Sequence, residues 1–142
     1  MTTADAHRSV TITRTAPGRF RAVNARGGAL EFGSGDDADF TPVELLLTAI
    51  GGCSGIDVDL ITGRRAQPDA FSMTVQADKV RDENGSHLAN VELTFAVTFP
   101  AGEGGDAARA VLPDAVQRSH DRLCTVSRTV ELATPVSVSI KE

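Results

Sequence analysis

The sequence has no tryptophan and no tyrosine, and its six phenylalanines are few for 142 residues. A core built from it is therefore mostly aliphatic. It also lacks an excess of basic charge. Fourteen Lys and Arg face 19 Asp and Glu, a formal net charge of -5, which argues against a nucleic-acid partner. No run of like charges is long enough to form an interaction tail. The opening stretch MTTADAHRSVTITRT has no apolar centre, so no signal peptide is expected. The longest apolar stretch, residues 45–65, is broken by Gly51, Gly52, Asp57 and Asp59 and ends in Arg64 and Arg65. On that ground no membrane span is expected. These absences place the protein in the cytoplasm, where a structural disulfide is disfavoured. Its two cysteines, Cys53 and Cys124, are then either inert core thiols or a functional pair.

What is present reads as one domain over residues 1–142. SVTITR (9–14) and RFRAVN (19–24) alternate apolar and polar residues around a Pro17-Gly18 turn, and ALEF (29–32) follows a second turn, which predicts a three-stranded meander. GSGDDAD (33–39) reads as a flexible acidic loop. Thr41, Pro42 and Glu44 then spell a helix start: an N-cap, a proline at the first helical position and the return partner of a capping box. The helix is expected to run to about Arg65, and its apolar character on most faces predicts burial against more than one surface, including another subunit. FSMTVQADKV (71–80) and LANVELTFAVTFP (88–100) read as strands joined by an Asn84-Gly85 hairpin turn. A helix over 107–123, with Asp106 as N-cap and a kink at Pro113, comes next. CTVSRTVE (124–131) is ambiguous and fits a short helix, and TPVSVSIK (134–141) predicts a closing strand. The fold class is α+β with a largely antiparallel sheet.

Cys53 sits deep in the long helix. On a 3.6-residue period it shares a face with Ile50, Ile56, Asp57 and Leu60. One reading is a small buried hydrophobe, as free cysteines commonly are. The other is a reactive thiol: Gly51 and Gly52 clear space beside it for a partner backbone or a substrate, and Asp57 lies one turn on. Cys124 stands where one helical region gives way to the next. There a helix dipole would stabilise its thiolate, and His120 would lie close if the helix continued. Its bland reading is a second core cysteine, with His120 exposed at a helix end. The three histidines lack ligand-like spacing, so no metal centre is expected. Ser119, His120 and Asp121 are consecutive and cannot converge as a triad. Glu44 is fully explained as a capping residue, and it could also hold an arginine. Arg19 or Arg21, on an early strand, would lower the pKa of a neighbouring thiol.

TPVELLLTAIGGCSGIDV taken with SHDRLCTVSRTVEL resembles the OsmC/Ohr family of thiol-dependent peroxidases, and within it the OsmC-like branch called YhfA-like. The resemblance extends from GRFRAV to TPVSVSI. It implies an intertwined homodimer with two active sites at the subunit interface. It also implies reduction of organic hydroperoxides, as a defence against oxidative stress, without a bound cofactor. Cys53 matches the peroxidatic cysteine and Cys124 the resolving cysteine, with a disulfide between them as intermediate. An external dithiol, a lipoyl group in the Ohr branch, restores both thiols. The active arginine falls best at Arg19, with Arg21 its neighbour. In the Ohr branch a glutamate orients that arginine from the position that is Val43 here. Glu44 stands one residue later, about 100° round the helix, and either substitutes from that angle or only caps. The alternative reading is a non-catalytic dimer that binds a ligand or senses redox state through the same thiol pocket.

Overall fold

A computed structural model describes residues 6–141. Residues 1–5, part of the opening stretch in which no signal peptide is expected, lie outside the described residues. The chain is α+β, with antiparallel pairing throughout its two sheets. Its contacts gather in two units, residues 1–46 and 47–142.

The first unit holds the predicted meander: β1 (Val10–Ala16), β2 (Arg19–Asn24) and β3 (Ala29–Gly33). Pro17 and Gly18 turn the chain between β1 and β2, with Gly18 at a φ of 70°, the left-handed conformation a type II turn demands after proline. Phe20 and Phe32 pair across β2 and β3 and stack with ring centroids 5.9 Å apart. Residues 34–40 are not the loose loop expected from their glycines. Gly33 N–H donates to the Phe40 carbonyl at 3.0 Å, closing the loop, and Asp39 N–H donates to Asp37 Oδ1 at 2.9 Å.

Helix α1 (Pro42–Thr62) starts as predicted. Thr41 Oγ1 accepts from Glu44 N–H at 3.2 Å, and Thr41 N–H donates to Glu44 Oε1 at 2.9 Å, a complete capping box. It stops at Thr62, three residues short of Arg65, where Gly63 N–H closes the last turn on Asp59 O at 2.8 Å.

In the second unit α1 packs against a long hairpin of β4 (Ala70–Asp82) and β5 (Gly85–Thr98). Its turn shortens to Glu83 and Asn84, since Asp82 already pairs with Gly85. Phe71, Met73 and Val75 of β4 pair with Val97, Phe95 and Leu93 of β5. One face of the hairpin is thus wholly apolar, and the opposite face carries Ser72, Thr74, Gln76, Glu92 and Thr94. That is the period-2 alternation read from the sequence. Phe71 and Phe95 meet edge to face at 6.0 Å.

The burial of α1 is one-sided rather than all round. Ile50, Gly51, Ser54, Gly55, Val58 and Thr62 are buried at helical spacing, whereas Ile56 and Leu60 are each 64% exposed. By length and composition α1 would suffice to cross a bilayer, more than the sequence reading allowed. Its packing against an antiparallel hairpin is that of a core helix. Two of the odd glycines make that packing possible. A Cβ on Gly51 would fall 2.7 Å from Val75 Cγ2, and one on Gly55 would fall 2.6 Å from Met73 Cε. At Gly51 the close approach is thus to the chain's own hairpin, whereas Gly52 has open space beside it, as the sequence reading expected of both.

Helix α2 (Glu103–Arg118) begins four residues before the position predicted with Asp106 as its cap. Gly102 is the N-cap, and Asp106 instead pairs with Arg109 at 2.8 Å. The helix passes through Pro113 without a break. Residues 119–123 form a single π turn, and α3 (Thr125–Glu131) is the short helix anticipated over 124–131. The closing strand expected over 134–141 forms no ladder among the described residues. Its apolar positions Val136, Val138 and Ile140 are 86%, 88% and 90% exposed. An alternating segment of this kind becomes a strand only when an edge is available to it.

The glycines give a direct check. Replacing Gly by Ala gains up to about 1 kcal/mol of helix propensity, but a methyl forced into a packed site costs about 1–3 kcal/mol. Gly52→Ala is expected to raise the thermal midpoint, and Gly51→Ala, against stiff Val75, to lower it. A lowered midpoint for Gly52→Ala would mean that something outside this chain fills the space beside it.

Candidate functional site

The two cysteines, distant in sequence, meet at the start of α3. Cys124 is fully buried, Cys53 half-buried, and both are free thiols. The route to this meeting runs through the π turn. Cys124 N–H reaches back five residues to Ser119 O at 2.8 Å, and the backbone then turns extended at Cys124 (φ -72°, ψ 99°). That turn makes Cys124 the N-cap of α3. Its Sγ accepts from Ser127 N–H at 3.4 Å and contacts Ser127 Oγ at 3.3 Å.

Cys53 projects from α1 toward the same helix end. Its thiol lies beside the Cys124 thiol and the backbone amides of Val126 and Thr125, each of which acts on it electrostatically. Burial pushes the Cys53 thiol above the usual cysteine range, and the neighbouring Cys124 adds to the rise. The Val126 and Thr125 amides oppose it by stabilising the thiolate.

Beneath the thiols runs a buried chain of hydroxyls that the sequence did not reveal. Ser54 Oγ lies 3.0 Å from Ser119 Oγ, and Ser119 Oγ donates to Asp57 Oδ2 at 2.8 Å. Asp57 had been singled out as an unlikely carboxylate for a purely structural helix. Its partner sits in the very SHD triplet set aside as a triad. Three residues apart on α1, Ser54 and Asp57 could have been paired to each other. Nothing in the spacing points to Ser119.

Next to this chain lies a groove of about 370 Å³, bounded by Ile50 and Ser54 of α1, Phe95 of β5, His120 of the π turn, and Ser127 and Glu131 of α3. Neither cysteine lines it, but Ser54 follows Cys53 and Ser127 touches the Cys124 sulfur. His120 is exposed, as its bland reading has it, and pairs with Glu131 at 3.5 Å, joining the π turn to α3.

The remaining candidates belong to the first unit or to its end of α1. Arg19 forms ion pairs with both Asp37 and Asp39, the acidic residues of the closed loop. Arg21 pairs across the strands with Glu31 at 3.6 Å, and both side chains are about half exposed. Arg19 is thus the arginine with a built surrounding. Glu44 performs its capping role, as described above.

A model of the family described as OsmC-like protein matches residues 34–139. The protein YhfA of Escherichia coli is 34% identical over 107 residues, which covers 75% of each chain. A hypothetical protein from Aquifex aeolicus has a similar fold, with a TM-score of 0.72 at 22% identity over 90% of this chain and 89% of that one. An organic hydroperoxide resistance protein from Legionella pneumophila aligns with a TM-score of 0.58 at 17% identity, covering 86% of this chain and 88% of its own.

Titration tests the electrostatics. Alkylation of Cys53 by iodoacetamide is expected to rise with pH along a curve displaced above that of an unstructured cysteine. Cys124→Ala should move the curve down, because Cys124 contributes to the rise. The linkage has a definite sign. A folded-state pKa raised above the unfolded value stabilises the fold below the unfolded pKa, and this stabilisation is lost as pH climbs through the raised value. Urea melts across that alkaline window should show the loss in the wild type, and less of it in Cys53→Ala.

Proposed function

Since the chain belongs to the OsmC-like family, and since its two cysteines meet at one helix end, we propose that it is a redox protein of peroxide defence that reduces organic hydroperoxides. The observation that carries this reading is that Cys53 and Cys124 act on each other at one helix end, where Cys124 caps α3. The Legionella neighbour, named for organic hydroperoxide resistance, supports it.

In this reading the Cys53 thiolate attacks one oxygen of the hydroperoxide. The O–O bond breaks, the sulfur is oxidised to a sulfenic acid, and the alkoxide leaves and takes up a proton to become the alcohol. The Cys124 thiol then attacks the sulfenic sulfur, forming the disulfide and releasing water. An external dithiol reduces the disulfide by two exchange steps and is itself oxidised. The amides of Thr125 and Val126 favour the charged form of Cys53 that the first step needs. The resemblance gives Arg19 the further task of lowering the thiol pKa, and the setting proposed from the sequence is a reducing cytoplasm. A second reading, a non-catalytic dimer that binds a ligand or senses redox state through the same thiol pocket, is favoured by the groove beside Ser54 and Ser127; as a sensor it forms the same disulfide once and is not recycled.

Peroxide consumption separates these readings. With excess dithiol, the wild type should turn over repeatedly. Cys53→Ser should consume none, and Cys124→Ser should complete one turnover and stop with an oxidised Cys53 visible by mass spectrometry. Equal multiple-turnover rates for wild type and Cys53→Ser would end the enzyme reading. A single equivalent consumed by wild type would leave the sensor. Arg19→Ala should raise the Cys53 titration further, and an unchanged curve removes Arg19 from the chemistry.

We also propose a homodimer. Val136, Val138 and Ile140 present an apolar edge with no strand beside it, and Ile56 and Leu60 present an uncovered helix face. Light scattering should give twice the chain mass, and a chain ending at Ala133 should shift toward the monomer. A monomeric full-length protein refutes the dimer.

A further inference from the structure

We infer that Ser119 is the positioning residue of the thiol pair: its side chain is locked to α1 and its carbonyl to Cys124, so that it sets the approach of the two sulfurs. This deepens the reading of Cys53 and Cys124 as a redox couple and rests on it.

The direction of the hydrogen bonds can be worked out. An ionised Asp57 only accepts, so Ser119 Oγ donates to it at 2.8 Å. The hydroxyl proton of Ser119 is then spent, and the 3.0 Å contact with Ser54 must run from Ser54 Oγ to Ser119 Oγ. Ser119 thus takes one bond and gives one, both to α1. Its carbonyl accepts the Cys124 amide at 2.8 Å. Ser54 is the residue after Cys53. A path of three short links therefore joins the backbone bearing one sulfur to the backbone bearing the other.

The location of this path speaks against a filler role. Ser119 is fully buried and Ser54 nearly so. A buried hydroxyl is costly unless bonded, and an apolar pair could fill the same space. The π turn that brings the Ser119 carbonyl to Cys124 is a rare conformation, found disproportionately at functional sites. Disulfide formation is also unforgiving of distance, requiring Cβ atoms about 3.5–4.5 Å apart. A hub that fixes both backbones is what such a requirement calls for.

A test needs no peroxide. A dithiobis-nitrobenzoate reagent reacts with Cys53, which displaces one coloured nitrothiobenzoate and leaves a mixed disulfide. Cys124 then attacks the Cys53 sulfur, forms the protein disulfide and displaces the second nitrothiobenzoate, with its thiol proton passing to solvent. The two releases are separate phases of one absorbance trace. Ser119→Ala should leave the first phase at the wild-type rate and slow the second about 10- to 100-fold, the scale on which small misplacements act. Asp57→Ala, at a half-buried position more tolerant of change, should show the same split. Asp57→Asn, which keeps a carbonyl oxygen for Ser119, should restore the second phase. A second phase at the wild-type rate in both Ser119→Ala and Asp57→Ala overturns the inference, as does an Asp57→Asn no faster than Asp57→Ala. The peroxidase reading fails on separate grounds: no peroxide consumed by a wild type that shows both phases.

Discussion

The first turn of α3 is the constraint around which the second unit is arranged. A helix start leaves its first N–H groups without intrahelical partners. Here those of Thr125 and Val126 face the Cys53 sulfur, and that of Ser127 faces the Cys124 sulfur. Two thiols therefore satisfy a helix end that a serine or aspartate would ordinarily cap. For this to happen Cys124 must leave the helical conformation at the right residue, and the π turn at 119–123 sets that residue by carrying one hydrogen bond back over five positions. Cys53 must also be held at a fixed height above α3, which depends on how deeply α1 sits on the β4–β5 hairpin.

That depth is a matter of missing methyl groups. Gly51 and Gly55 let the backbone of α1 descend until Val75 and Met73 occupy the space where side chains would have been. The helix gives up propensity, about 1 kcal/mol per glycine, and gains contact with an apolar strand face. A helix set this low brings Ser54 and Asp57 within reach of Ser119. The glycines and the hydroxyl chain are therefore parts of one arrangement. An alanine at position 51 would act on the thiols through height, without touching either.

Most of the local structure was legible because it rests on local chemistry. The capping box at Thr41 and Glu44, the Pro17-Gly18 turn and the alternation of β4 and β5 each need only neighbouring residues to be recognised. The helix end at Thr62, the early start of α2 and the order in the acidic loop were missed, since each depends on a backbone bond or an ion pair that composition does not signal. The partnership of Ser119 with Asp57 was hidden for a different reason. It spans two helices, and its members were read separately, one as an odd carboxylate and one as part of a rejected triad. The closing strand expected over 134–141 was not found among the described residues: alternation is a local pattern, and a strand also needs a pairing partner that the pattern does not name.

The departure at Val43 can be weighed in the same terms. What a carboxylate does for an arginine is hold a planar, five-donor group in one orientation. At Arg19 two carboxylates are already present, from Asp37 and Asp39, in a loop closed by its own backbone bonds. Apolar Val43 therefore does not leave this arginine without an orienting partner. Were Arg19 the active arginine, as proposed, that work would fall to a different stretch of sequence, just before the helix instead of inside it. Two carboxylates on one guanidinium also leave that cluster net negative, so its use to an anionic sulfur would lie in aimed N–H donors more than in bulk positive charge. The same economy holds at Cys53, where the groups that favour the thiolate within its own unit are neutral amides.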